Sequence, residues 1–119
     1  MSAGRLLLVE DEESLARLLS GYLERLGYQV DSCSTAAGAL DAFAREAYEL
    51  VIADLTLPDM PGDEMLDRMG LVNPRPRFLV MTGYPAAGRA LPDGVGFLQK
   101  PFLPHRLAEV VAEMLRREA

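Results

Sequence analysis

The sequence predicts an α/β fold in which helices cover both faces of a parallel sheet. Three observations predict it: five short apolar runs read as strands, segments of helical periodicity fall between them, and polar residues suited to chemistry stand at the strands' C-terminal ends. Strands covered on both faces need continuous apolar runs rather than strict alternation. The chain has 119 residues, 50% of them apolar, which is enough for one core without disulfides or structural metal. A chain of this size buries roughly two thirds of the surface it exposes when unfolded.

Arg5 to Val9 is the first such run, and it ends in the acidic string Glu10-Asp11-Glu12-Glu13. From Ser14, read as an N-cap, the positions Leu15, Leu18, Leu19, Tyr22, Leu23 and Leu26 step by three and four, and Gly27 stands where a helix C-terminus wants a left-handed residue. Tyr28 to Cys33 is a weakly alternating strand, Ser34 or Thr35 caps an Ala-rich helix to about Glu46, and Leu50 to Asp54 is a second buried run that also ends in a carboxylate. Pro58, Pro61 and Gly62 make a tight loop, a short helix runs from about Asp63 to Met69, and Pro74 and Pro76 punctuate the approach to a strand from Phe78 to Thr82. Gly96 to Gln99 is the fifth strand. After Pro104 a final helix uses Leu107, Val110, Val111, Met114 and Leu115 as its buried stripe. Between Thr82 and Lys100, Gly83, Pro85, Gly88, Pro92, Gly94 and Gly96 leave room for no more than a turn or two of helix.

Composition excludes several classes. The net charge of −6, with no basic patch, argues against contact with nucleic acid. No apolar run approaches the ~18 residues that cross a bilayer. Met1-Ser2-Ala3-Gly4-Arg5 carries no secretory pattern, so a cytoplasmic protein is expected. Cys33 has no second thiol for a disulfide or a metal site, and His105 has no second histidine, so both read as structural or surface residues. Lys100 is the only lysine among 12 basic residues, and a compact rotatable ammonium is one reason to keep a lysine in an arginine-using chain.

In open parallel sheets, functional groups gather beyond the carboxyl ends of the strands. Glu10 and Asp11, Asp54, Thr82 and Lys100 all fall there. Three carboxylates in one pocket repel, so at least one takes a proton unless a cation compensates them. All-oxygen ligands suit Mg²⁺, which usually takes one or two carboxylates together with phosphate oxygens and so implies a phosphoryl donor. Asp54 is the candidate nucleophile and Lys100 the candidate charge on the phosphoryl oxygens, giving an aspartyl phosphate.

With Leu8-Val9-Glu10-Asp11-Glu12, Asp54-Leu55-Thr56-Leu57-Pro58-Asp59-Met60-Pro61-Gly62, Met81-Thr82-Gly83 and Phe97-Leu98-Gln99-Lys100-Pro101-Phe102 in order at strand ends, the chain resembles the receiver domains of two-component response regulators. The resemblance covers Arg5 to Leu115. It implies a single receiver domain over residues 1–119, core about 5–115, with a flavodoxin-like doubly wound (βα)5 sandwich, strand order 2-1-3-4-5 and a short or irregular fourth helix. It implies Asp54 as phosphoacceptor, Asp11 and Asp54 as Mg²⁺ ligands with the Thr56 backbone carbonyl, and Glu10 as a ligand through water. Lys100 resembles the phosphoryl-pairing lysine, before a bond to Pro101 that is cis in the family. Thr82 resembles the switch hydroxyl and Phe97 the switch aromatic, and Thr56 and Tyr84 occupy positions that tune dephosphorylation. The implied partners are a sensor histidine kinase or histidine phosphotransfer domain and an output partner. The short fourth segment and the string Gly96 to Phe102 are similar to receivers of hybrid histidine kinases.

Each residue has a plainer reading by itself: Glu10 to Glu13 as a solvated first helical turn, Asp54 as a strand-ending cap, Thr82 as a turn residue, Lys100 as a surface lysine, and Phe97 as core. The joint pattern outweighs them. A phosphohydrolase of the haloacid dehalogenase type needs a second acid two places after the nucleophile, where this chain has Thr56. A mononucleotide binder needs a Gly/Ser/Thr-rich loop where this chain has four acids. A receiver-like module that only docks partners has no need of a metal pocket.

Overall fold

The computed structural model describes residues 4–74, 76–83 and 94–116. Its elements, in chain order, are β1 (Arg5–Val9), α1 (Glu13–Arg25), β2 (Gln29–Cys33), α2 (Ala36–Arg45), β3 (Leu50–Asp54), α3 (Gly62–Val72), β4 (Arg77–Thr82), β5 (Val95–Gln99) and α4 (Pro104–Arg116). The strands form one sheet in the order β2-β1-β3-β4-β5, and every neighbouring pair is parallel. This is the doubly wound order expected from the sequence. The expected short or irregular fourth helix falls with Tyr84 at residues 84–93, outside the described residues.

Successive strand residues point to opposite faces, and the two core layers follow that period of two. Leu6, Leu8, Leu50 and Ile52 pack with Leu19 and Leu23 of α1 and Leu107, Val111 and Met114 of α4. Leu7, Val9, Val51 and Ala53 pack with Ala36, Ala39 and Phe43 of α2 and Met65 and Met69 of α3. The aliphatic residues of β1 and β3 are buried on both faces, which is why they read as unbroken apolar runs. Each fully buried large side chain stabilises the fold by about 1.5–3 kcal/mol. At the sheet's edge side chains pack directly onto the Gly96 backbone of β5: a Cβ there would lie 2.8 Å from the Met114 sulfur and 3.1 Å from Leu79 Cδ1.

Four local expectations are corrected. Ser14 is not the cap of α1; it lies inside the helix, whose N-cap is Glu12. The entry is set by Glu10 instead, because the Glu12 amide donates to Glu10 Oε2 at 3.0 Å while the Glu12 carbonyl takes the Ala16 amide at 2.9 Å. Leu18 and Leu26 of the expected apolar stripe are exposed, and Ala16 lies in the core beside Leu19 and Leu23. Finally, α3 extends past Met69 through Gly70 to Val72, with Asn73 as C-cap before Pro74. A glycine is tolerated in a helix, whereas the residue before a proline is driven away from helical geometry. The left-handed Gly27 (φ +102°) and the Thr35 cap, whose side chain accepts from the Gly38 amide, stand as read.

One half-exposed polar cluster joins β1, β2 and the approach to β3, away from the strands' carboxyl ends. The Tyr48 hydroxyl donates to Asp31 Oδ2 at 2.6 Å, Arg5 reaches the same oxygen at 3.1 Å, and the Tyr48 ring stacks on Phe43.

Candidate functional site

Among the described residues, the buried polar or charged side chains are Glu10, Asp54 and Thr82, and all three stand at strand carboxyl ends. Burying charged groups is costly unless they are paired, so their gathering needs a local reason. Lys100 supplies one part of it. Its ammonium donates to Glu10 Oε1 and to Asp54 Oδ2, each at 2.6 Å.

Backbone geometry sets each member. Glu10 follows β1, with its amide on the Cys33 carbonyl at 3.0 Å. Asp54 is the last residue of β3, and its Oδ1 accepts the Thr56 amide at 2.8 Å, the turn by which aspartate bonds the backbone two residues on. Thr82 ends β4 one residue past Met81, the neighbour of Asp54 in the ladder. The Thr82 carbonyl accepts the Lys100 amide at 2.7 Å, and the Lys100–Pro101 bond is cis. Asp11 is exposed at the rim, yet carboxylate oxygens of Glu10, Asp11 and Asp54 all lie within 4.8 Å of one another. Thr56 is exposed and Phe97 half-buried on β5. Strand ends thus bring together Glu10, Asp11, Asp54, Thr82 and Lys100, with Thr56 in the adjoining loop.

The electrostatics are unbalanced. Burial pushes the Glu10 carboxyl above its ordinary pKa, and the bonds from Lys100 and the Glu12 amide pull it back only in part. Burial works against the Lys100 ammonium, yet its bonds to Asp54 and Glu10 outweigh that and hold its pKa above the ordinary lysine value. One ammonium faces three carboxylates. A hard divalent cation fits this set: the donors are all oxygen, the oxygens sit at cation-sharing separation, and negative charge is in excess.

Sequence reasoning named Asp59 and Gly62 within the loop motif but missed what each does there. Asp59 accepts the Ala36 amide on Oδ1 and the Ala37 amide on Oδ2, both at 2.9 Å, and these bonds hold its carboxyl below the usual carboxylate range. Nothing local announces this, because the helix it meets begins 23 residues earlier in the chain. Gly62 has a clearer signal, the Pro61-Gly62 pair. A Cβ there would stand 2.3 Å from the Asp54 carbonyl oxygen and 2.7 Å from Leu55 Cα, so only glycine lets α3 start this close to the end of β3.

Comparison with known proteins agrees with this geometry. The response regulator receiver domain family matches residues 6–112. The chain is 36% identical over 114 residues to the response regulator protein FleR of Pseudomonas aeruginosa, covering 92% of this chain and 24% of that protein. It is 30% identical over 115 residues to the response regulator receiver protein CpdR of Brucella abortus, covering 93% and 96% respectively. The chain therefore spans about a quarter of the first relative and nearly all of the second. A CheY-like receiver domain structure from Methanospirillum hungatei superposes with a TM-score of 0.89 at 30% identity, over 96% of this chain and 94% of that one. With a family match over nearly its whole length and the acid-rich pocket in place, the chain belongs to the response regulator receiver domains, the signalling switches of two-component phosphorelays.

Proposed function

We propose that Asp54 is the phosphoacceptor of this receiver and that the donor is a phosphohistidine on a sensor histidine kinase or a histidine phosphotransfer domain. A carboxylate oxygen of Asp54 attacks the phosphorus; the P–O bond forms as the P–N bond breaks, and the imidazole nitrogen leaves with a proton. The observation that carries this reading is the Lys100 ammonium 2.6 Å from both Asp54 and Glu10, a fixed positive charge beside a buried nucleophile. Asp11, Asp54, the Thr56 backbone carbonyl and, through water, Glu10 would hold Mg²⁺, which when bound neutralises charge on the phosphoryl oxygens. Asp54 enters oriented, since the Thr56 amide fixes Oδ1 and leaves Oδ2 on Lys100. Lys100 can turn from the carboxylates to a phosphoryl oxygen as negative charge accumulates there.

Thr82, buried at the neighbouring strand end, is the switch hydroxyl, and Phe97 on β5 is the aromatic that follows it. Phosphorylation then shifts a two-state equilibrium rather than creating a new fold. The chemistry is limited to the domain's own phosphorylation and dephosphorylation. The domain is a single unit over residues 1–119 that works in the cytoplasm; among the described residues no helix is long and apolar enough to cross a membrane. Leu18, exposed on α1, supports that helix as part of the donor-docking surface. Leu18→Glu is expected to slow transfer from a phosphohistidine protein while leaving reaction with phosphoramidate unchanged.

The test is intact-protein mass after incubation with phosphoramidate, with and without Mg²⁺. A single Mg²⁺-dependent phosphoryl adduct is expected for the wild type. No adduct, where a control receiver is modified, contradicts the proposal.

A further inference from the structure

The loop from Leu55 to Pro61 leaves the phosphoacceptor strand and carries Thr56. Its two ends are tied down: the Leu55 amide donates to the Met81 carbonyl of β4 at 3.1 Å, the Gly62 amide donates to the Leu55 carbonyl at 2.8 Å, and Thr56 bridges Pro61. Midway between these ties, exposed Asp59 reaches out of the loop to the first two amides of α2, using both carboxylate oxygens. The helix does not depend on Asp59 for its ordinary cap, because Thr35 already caps it through Gly38 at 3.1 Å. The remaining orphan amides and the positive helix end hold the carboxylate by hydrogen bonds and by charge.

We propose that Asp59 is a positioning residue, one that fastens the phosphoacceptor loop to the start of α2 and so fixes the Thr56 carbonyl where a cation at the acidic pocket can use it. This rests on the reading of Asp54 and its acidic neighbours as the phosphoryl and Mg²⁺ site. Asp59 touches neither the pocket nor the cation. It acts through loop geometry, as groups beyond a metal's direct ligands do when they orient those ligands. Its effect therefore falls on cation affinity rather than on the chemical step.

The experiment titrates Mg²⁺ into wild type, Asp59→Ala, Asp59→Asn and Thr35→Ala, following backbone amide resonances, with hydrogen exchange at residues 36–38 and phosphoramidate rates at saturating Mg²⁺. Asp59→Ala is expected to raise the Mg²⁺ midpoint about tenfold and to leave the rate at saturating Mg²⁺ within about twofold. It also loses protection at the Ala36 and Ala37 amides. Asp59→Asn keeps one acceptor and falls between. Thr35→Ala weakens α2 at Gly38 but keeps the wild-type midpoint, which separates loop positioning from helix capping. If Asp59→Ala keeps the wild-type midpoint, or if Thr35→Ala shifts it equally, the inference is overturned while the site assignment stands. A wild type that takes up no Mg²⁺ overturns both.

Discussion

Two polar clusters in this molecule each join a cation to a carboxylate, and they differ in their charge balance. In the Arg5–Asp31–Tyr48 cluster, one aspartate oxygen accepts both a guanidinium and a phenol, so one negative charge meets one positive charge and a neutral donor. In the pocket at the strand ends, one ammonium is divided between two carboxylates, and a third stands within 4.8 Å. The first cluster is complete as it stands and holds β1, β2 and the approach to β3 together. The second carries excess negative charge that a bound cation or a proton offsets. A cluster left unbalanced by the fold marks function more reliably than one whose charges are matched.

The comparison breaks most easily by charge removal. Asp54→Asn is expected to abolish the Mg²⁺-dependent phosphoryl adduct, whereas Asp31→Asn leaves its rate within about twofold; equal losses in intact-mass assays would erase the distinction between the clusters. Lys100→Met removes the pocket's fixed positive charge. It should slow phosphorylation about 100-fold, yet tighten Mg²⁺ binding, because the carboxylates then lack any competing cation. Calorimetric titration showing weaker Mg²⁺ binding would contradict the charge argument. A smaller effect belongs to Tyr48→Phe, which deletes one donor to Asp31 and is expected to lower stability by about 1 kcal/mol in urea unfolding with no change in Mg²⁺ midpoint.

Alkaline pH sharpens the comparison further. Burial and the bond to Asp31 raise the Tyr48 pKa above its ordinary value of 10.0, and the carboxylate bonds raise that of Lys100 above 10.5. In both cases the folded protein holds its proton longer than the unfolded chain. The stability each contributes is therefore complete below the ordinary value and lost as pH rises through the higher folded value. Denaturation midpoints measured from pH 9 upward should fall less steeply in Tyr48→Phe and in Lys100→Met than in wild type.

Much of this arrangement was legible in the sequence because it depends on local pattern. Arg5 to Val9 and Leu50 to Asp54 match β1 and β3 residue for residue, since strands buried on both faces leave unbroken apolar runs, here Leu6 to Val9 and Leu50 to Ala53, with charge only at their ends. Glu10, Asp54, Thr82 and Lys100 were placed by their position just after such runs. What escaped was set by contacts that pattern alone does not show. Ser14 has the chemistry of a cap, but α1 starts earlier, with Glu12 as its N-cap and the Glu12 amide held by the Glu10 carboxylate. Asp59 reads as an ordinary turn residue until α2 is brought beside it. Leu18 and Leu26 satisfy the helical period yet face outward, because periodicity gives a stripe and packing decides which edge of it is covered.

The central claim is that Asp54 receives the phosphoryl group, and the most direct measurement is borohydride reduction of the phosphorylated protein followed by peptide mass spectrometry. Reduction converts an aspartyl phosphate to homoserine. The account predicts homoserine at position 54, only when Mg²⁺ was present. Homoserine at Asp11 or another carboxylate, with Asp54 unchanged, would contradict it.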